Sequence, residues 1–126
     1  MGSVNYDYRV KILAWLDGDT CDVAIDLGFA VGITQRVRVY GINAPEVHSL
    51  NPAEKKAGGA ARDFAAGLAP VGGQILARSF KHGANDKFGR FLAVLTLADG
   101  SDLAAKMIAA GHAKAYFGDK KEPFDG

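Results

Sequence analysis

The chain has 126 residues, of which 48% are hydrophobic and 23% charged, and these values exclude a disordered or low-complexity segment. Its formal net charge of +1 is too small to hold nucleic acid by bulk electrostatic attraction, so any phosphate-binding site has to be local. A single cysteine, Cys21, excludes a scaffold held by internal disulfides. The length predicts one domain over residues 1–126.

The N-terminal stretch from Met1 to Tyr8 contains neither a basic segment nor an apolar run. It therefore matches neither a signal peptide nor a membrane span. We expect no membrane partner, and a cytoplasmic location unless a leader has been removed. The oligomeric state stays open, with a monomer as the default.

The first part of the chain predicts a β-hairpin. Residues from Tyr8 to Trp15 alternate with the period of a strand, and residues from Cys21 to Leu27 alternate again. The Asp17-Gly18 dipeptide between them is a turn signal, which places Asp19 at the mouth of the hairpin. Cys21 is in phase with apolar neighbours and is predicted to lie in the core.

A third strand is predicted from Ile33 to Tyr40, after a reversal at Gly28 to Gly32. Arg36 and Arg38 then share one face of this strand. Arginines are mostly exposed, so residue type alone favours two solvated side chains.

The rest of the chain predicts two helices and two more strands. Asn51 as N-cap, followed by Pro52 and Glu54, begins the first helix, and Pro70 closes it. Its regular face is rich in small residues, as expected for close approach to a sheet: Ala53, Ala57, Ala60, Ala61, Phe64 and Leu68. Strands from Gln74 to Phe80 and from Phe91 to Leu97 flank a polar loop, and the second helix runs from a Ser101 cap to Gly111. This order predicts an α+β domain built on a small barrel.

Oxygen-bearing residues are concentrated in two segments. Asp19 lies in Asp17-Gly18-Asp19-Thr20, which by itself is more typical of a tight hairpin turn than of a metal site. Just past the third strand, Asn43 offers an amide oxygen, Ala44 a backbone carbonyl and Glu46 a carboxylate. Oxygen ligands of these kinds suit a hard cation such as Ca²⁺ or Mg²⁺.

Two arginines accompany these oxygens. Arg38 comes shortly before Asn43, and Arg90 ends a second segment, Asp86-Lys87-Phe88-Gly89-Arg90. Guanidinium groups match the oxygens of a phosphate group. The combination indicates phosphodiester chemistry. The three histidines lack zinc-ligand spacing.

These motifs, taken in order, resemble the staphylococcal nuclease-like (thermonuclease) family along nearly the whole chain. The matching segments are Asp17 to Thr20, Arg38 to Glu46, Asp86 to Ala93, and Gly111-His112-Ala113. The resemblance implies an α+β fold with a five-stranded OB-type barrel and two to three packed helices. It also implies Ca²⁺-dependent hydrolysis of DNA and RNA, single-stranded or frayed, that leaves 3′-phosphates.

The resemblance assigns roles position by position. It places Arg38, Glu46 and Arg90 at catalytic positions, Asp19, Asn43 and Ala44 at metal-ligating positions, and Lys87, Phe88 and Tyr116 at substrate-binding positions. Tyr116 is the nearest candidate for a residue that stacks on a nucleotide.

Two departures from the family pattern bear on these expectations. Asn43 replaces the usual Asp, which keeps an oxygen ligand but removes one negative charge, so another divalent cation is an alternative to Ca²⁺. Phe88 replaces the usual Tyr and keeps the ring without the hydroxyl. The rival hypothesis is a non-catalytic OB-fold nucleic-acid-binding module whose metal site has degenerated through Asn43. A protein-interaction domain is least favoured, because it gives no reason for Arg38, Glu46 and Arg90 at these spacings.

Overall fold

The computed structural model describes residues 6–79 and 91–116, which form seven strands and two helices. In chain order these are β1 (Tyr6–Asp17), β2 (Thr20–Asp26), β3 (Gly32–Val39), β4 (Ile42–Asn43), α1 (Pro52–Leu68), β5 (Gln74–Ser79), β6 (Phe91–Thr96), α2 (Leu103–Ala109) and β7 (Lys114–Ala115). Neither helix among these described residues is long and apolar enough to cross a membrane.

Five strands close into a barrel in the order β1-β2-β3-β6-β5. All neighbouring pairs are antiparallel except β3 and β6, which run parallel from Val37 to Val39. The two short strands β4 and β7 form a separate antiparallel pair. This arrangement confirms the predicted α+β class and the five-stranded OB-type barrel with packed helices.

A bulge in β1 changes which side chains reach the core. The pairing with β2 shifts between Ile12 and Ala14 and again between Trp15 and Asp17. The alternation therefore loses phase, and Trp15 rather than Ala14 is buried. The Trp15 indole donates a hydrogen bond of 2.8 Å to the carbonyl of Ala69, beyond the end of α1. Simple alternation could not predict this change of phase.

The β2–β3 reversal exposes an aromatic ring. Phe29 lies in this hairpin and is fully exposed. Phe29 and Ala30 have positive φ angles of 54° and 61°, which follow Gly28 at 76°. Turns that suit the twist of a hairpin require such left-handed residues, so the backbone of the turn decides where the ring points.

The first helix begins as predicted. The Asn51 side chain accepts hydrogen bonds from the backbone N–H groups of Ala53 at 2.9 Å and Glu54 at 3.2 Å, and Pro52 occupies the first turn. The buried stripe is offset from the predicted one, because Gly58, Ala61 and Ala65 face the core. Ala53 and Ala60 face solvent.

The second helix begins one residue later than predicted. Its N-cap is Asp102, whereas Ser101 donates through its backbone N–H and its hydroxyl to the Asp99 carboxylate in the preceding turn. These hydrogen bonds lower the pKa of Asp99. Gly111, with φ of 80°, follows the helix as predicted.

Burial raises the pKa of the Cys21 thiol from 9.0 to about 12, and the charge of Asp22 adds to the effect. Between these values the unfolded chain carries a thiolate and the folded chain a thiol, so rising pH favours unfolding. Relative to Cys21→Ala, we expect the free energy of unfolding to fall by about 1.4 kcal/mol per pH unit in this range. Urea titrations followed by Trp15 fluorescence measure it. If the free energy of unfolding depended equally on pH in the wild type and in Cys21→Ala, the raised pKa of the Cys21 thiol would be contradicted.

Candidate functional site

Asp19 is a buried carboxylate in the turn between β1 and β2, only 5% exposed. Its backbone carbonyl accepts a hydrogen bond of 2.8 Å from the N–H of Val39, which ties the end of β3 to this turn. Its carboxylate accepts from the Thr20 hydroxyl at 3.0 Å and from the backbone N–H of Ala44 at 2.8 Å. These bonds hold the carboxylate in one orientation.

Arg38 is the charged partner of this carboxylate and is 8% exposed. Its Nη2 atom lies 3.5 Å from Asp19 Oδ2 and donates a hydrogen bond of 3.2 Å to Asn43 Oδ1. The guanidinium therefore joins two of the predicted metal-ligating side chains. We call Asp19, Arg38 and Asn43 the buried trio, in which Asp19 and Arg38 are buried and Asn43 is half-buried.

The two arginines of β3 have different environments. Arg36 is exposed and forms a 2.8 Å ion pair with Asp22, its neighbour across the strands. Its expected solvated position is confirmed, whereas the same expectation is wrong for Arg38. The reason is position along β3, because Arg38 lies at the barrel end next to the segment that carries Asn43.

A glycine allows the Asp19 turn to pack closely. A Cβ atom at Gly18 would lie 2.9 Å from Ala61 Cβ, 3.0 Å from Met107 Cε and 3.2 Å from Ala44 Cβ. A larger residue would force the turn and Ala61 of α1 apart, because the Ala61 methyl group cannot rotate away. The Asp-Gly-Asp-Thr sequence thus serves close packing of the site as well as the turn.

The β4–β7 pair brings the end of the described chain to the site. Asn43 pairs with Lys114, and the backbone N–H of Tyr116 donates to the carbonyl of Gly41 at 2.9 Å. The Tyr116 ring centroid lies 5.4 Å from Cζ of Arg38. Lys114 was not predicted, because the strand that carries it has two residues and is too short for a periodic signal.

Glu46 is exposed, but its backbone is held from two sides. Its N–H donates to the Glu54 carboxylate of α1 at 3.2 Å, and the next N–H, of Val47, donates to the Asp17 carboxylate at 2.9 Å. Gly58 lies directly against this segment, since a Cβ there would come within 2.5 Å of the Glu46 carbonyl carbon.

Asp17, Glu54 and Gly58 are the supporting residues that sequence reasoning missed. The sequence predicts a turn residue at Asp17 and part of a helix cap at Glu54. The adjacent glycines at 58 and 59 inside a helix were the available signal, because glycine in a helix interior usually has a packing reason.

The buried trio has the chemistry of a hard-cation site with little negative charge. Oxygens of Asp19 and Asn43 both face a single cationic nitrogen of Arg38, at 3.5 Å and 3.2 Å. Carboxylate and amide oxygens suit Ca²⁺ or Mg²⁺. Within residues 6–79 and 91–116, no three His, Cys, Asp or Glu side chains are grouped to hold a metal ion. The formal charge of the trio is zero, so we expect any cation to be held weakly.

The structure brings most of the described candidates to one end of the barrel. Asp19, Arg38, Asn43 and Ala44 are joined by hydrogen bonds, and Tyr116 contacts Arg38. Glu46 follows Ala44 by two residues. Predictions for Lys87, Phe88 and Arg90 fall outside the described residues and stay predictions.

The family model described as "Staphylococcal nuclease homologue" matches residues 36–125. The matched region begins within β3 and includes Arg38, Asn43, Ala44, Glu46 and Tyr116. A comparison with curated proteins gives no match.

Proposed function

The chain belongs to the staphylococcal nuclease homologue family, and from this premise we propose that it is a nuclease that hydrolyses phosphodiester bonds in DNA and RNA. We propose Ca²⁺ as its cofactor, 3′-phosphates as its products, and single-stranded or frayed nucleic acid as its substrate. The observation that carries the proposal is the buried trio, in which an acid, an arginine and an amide oxygen meet and which is linked to Ala44, two residues before the exposed Glu46.

The cost of burying Asp19 and Arg38 argues for a functional role. Removing a carboxylate and a guanidinium from water costs several kcal/mol per ion by general estimates, and apolar residues of similar volume are often at least as stabilising. Asp19 and Arg38 are nevertheless both buried at the end of the barrel. A phosphate-processing site accounts for that arrangement, because it needs oriented charges shielded from water.

In the proposed site, Asp19, Asn43 and the carbonyl of Ala44 would hold the cation. When bound, a divalent cation would stabilise negative charge on the phosphoryl oxygens. The carboxylate, amide and carbonyl oxygens of these residues are of the kinds that hold a hard cation. The backbone N–H of Ala44 donates a hydrogen bond to Asp19, which keeps these two residues together.

The side chains supply the remaining chemistry. Arg38 binds a phosphoryl oxygen, and its charge stabilises the transition state more than the substrate as negative charge builds up. The exposed Glu46 carboxylate orients the attacking water and accepts its proton. We propose Arg90 as the second cationic group at the phosphate, and Lys87 and Phe88 as substrate contacts.

A non-catalytic nucleic-acid-binding module is the second candidate. The neutral charge of the buried trio favours it, because Arg38 already compensates Asp19 and Asn43 adds no charge. The two candidates differ in whether bound nucleic acid is cut.

A product assay separates the two candidates. Single-stranded DNA and RNA oligonucleotides labelled at the 5′ end are incubated with the protein and Ca²⁺, and the fragments are then treated with a 3′-phosphatase. We expect shortened fragments whose gel mobility falls after phosphatase treatment. Retention of intact oligonucleotide in a gel-shift assay, without cutting, would support the binding module instead.

Asn43→Asp is expected to tighten Ca²⁺ binding by about tenfold, because it restores a negative charge beside Asp19. Isothermal titration of the free protein with Ca²⁺ measures the change. Asn51→Asp is the matched control, since it adds the same charge at the α1 cap, where Asp caps as well as Asn. Equal affinities in both variants would show that Asn43 is not a ligand.

A further inference from the structure

Tyr116 contacts a charged side chain of the proposed site. Its ring centroid lies 5.4 Å from Cζ of Arg38, within the range of a cation–π interaction. Arg38 is 8% exposed, so water screens this interaction less than it would at the surface. The ring of Tyr116 therefore attracts the positive charge of the Arg38 guanidinium.

Backbone pairing determines where the ring lies. The N–H of Tyr116 donates to the carbonyl of Gly41 at 2.9 Å, one residue beyond the pairing of Ile42 with Ala115. The same two-stranded unit carries Asn43, which accepts a hydrogen bond from Arg38. Arg38 thus contacts this unit at Asn43 through a hydrogen bond and at Tyr116 through the ring.

We propose that Tyr116 is a positioning residue, whose ring holds the guanidinium of Arg38 in the orientation that receives a phosphoryl oxygen. The inference rests on the proposed nuclease function. It differs from the stacking role expected from sequence, because it assigns the ring to a protein side chain rather than to a nucleotide. An arginine side chain loses many rotamers when it is fixed, so a pre-oriented guanidinium lowers the entropic cost of reaching the transition state.

Tyr116→Leu and Tyr116→Phe test the proposal together. A cation–π interaction depends on the ring, so Tyr116→Phe should keep kcat within about twofold, whereas Tyr116→Leu should lower it roughly 2- to 30-fold. KM should change little, because the ring is not assigned to the substrate. A raised KM with unchanged kcat in Tyr116→Leu would overturn the proposal in favour of nucleotide stacking.

An NMR measurement without nucleic acid separates this proposal from the proposed function. The Nε–H resonance of Arg38, assigned by its loss in Arg38→Lys, should shift in Tyr116→Leu and stay near its wild-type position in Tyr116→Phe. A shift in a protein that cuts no nucleic acid would support the contact and reject the nuclease. An unchanged resonance in Tyr116→Leu would overturn the positioning role even in an active enzyme.

Folding is checked in the same samples by urea titration of Trp15 fluorescence. Should Tyr116→Leu fail to fold, Tyr116→Met replaces it as the variant without a ring. The expectations for kcat, KM and the Arg38 resonance are the same.

Discussion

Glu46→Gln is expected to slow cleavage of single-stranded DNA by about 10²–10⁴-fold, the usual contribution of a general base. The amide keeps the shape of the side chain but cannot take a proton from water. Glu46 is exposed, and the contacts that hold this segment are made by the backbone N–H groups of Glu46 and Val47, so the fold should not change. Initial rates at saturating substrate measure the effect.

Asp63→Asn is the control for Glu46→Gln. It also removes one exposed carboxylate, on α1, and its side chain is 81% exposed. We expect wild-type cleavage from this variant and unchanged urea midpoints from both. Wild-type cleavage by Glu46→Gln would remove Glu46 from the proposed chemistry.

Gly58→Ala is expected to reduce both stability and cleavage. The added Cβ would meet the carbonyl carbon of Glu46 at 2.5 Å, its oxygen at 2.6 Å and the nitrogen of Val47 at 2.7 Å. These are backbone atoms, so the segment that carries Glu46 has to move. Overpacking of this kind costs about 1–3 kcal/mol, and displacing the carboxylate proposed to activate the water by about 1 Å can cost 10²-fold in rate.

The adjacent Gly59→Ala is a matched control on the same helix. A Cβ there meets nothing within 4 Å, so the substitution should stabilise α1 by about 0.5–1 kcal/mol and leave cleavage unchanged. Urea unfolding and initial rates measure both variants. Equal changes in stability and in cleavage rate in Gly58→Ala and Gly59→Ala would contradict the close packing of α1 on the Glu46 segment.

Local signals predicted most of the fold. The start of α1 was predicted from Asn51, Pro52 and Glu54, because helix capping depends on adjacent residues. The barrel strands were predicted from the alternation of apolar and polar residues, which is also a local pattern. The shift of phase at Trp15 was not predictable, because a bulge depends on the partner strand. Strands β4 and β7 have two residues each, too few for any periodicity.

The candidate site was predicted only where the family resemblance supplied positions. Residue type alone suggested that Arg36 and Arg38 were both solvated, and only the tertiary structure distinguishes them. The supporting contacts of Asp17 and Gly58 span distant parts of the chain, as in the bond from Val47 N–H to Asp17. No local pattern carries such information.

The calcium dependence of cleavage tests the central claim most directly. The initial rate on a fluorescent single-stranded oligonucleotide is measured against free Ca²⁺ concentration, for the wild-type protein and for Asp19→Asn. We predict a saturable rise for the wild type that a chelator abolishes, and a rise displaced to much higher Ca²⁺ or lost in Asp19→Asn, because this variant removes the carboxylate of the buried trio. Cleavage that persists in chelator, or no wild-type cleavage at any Ca²⁺ concentration, would contradict the account.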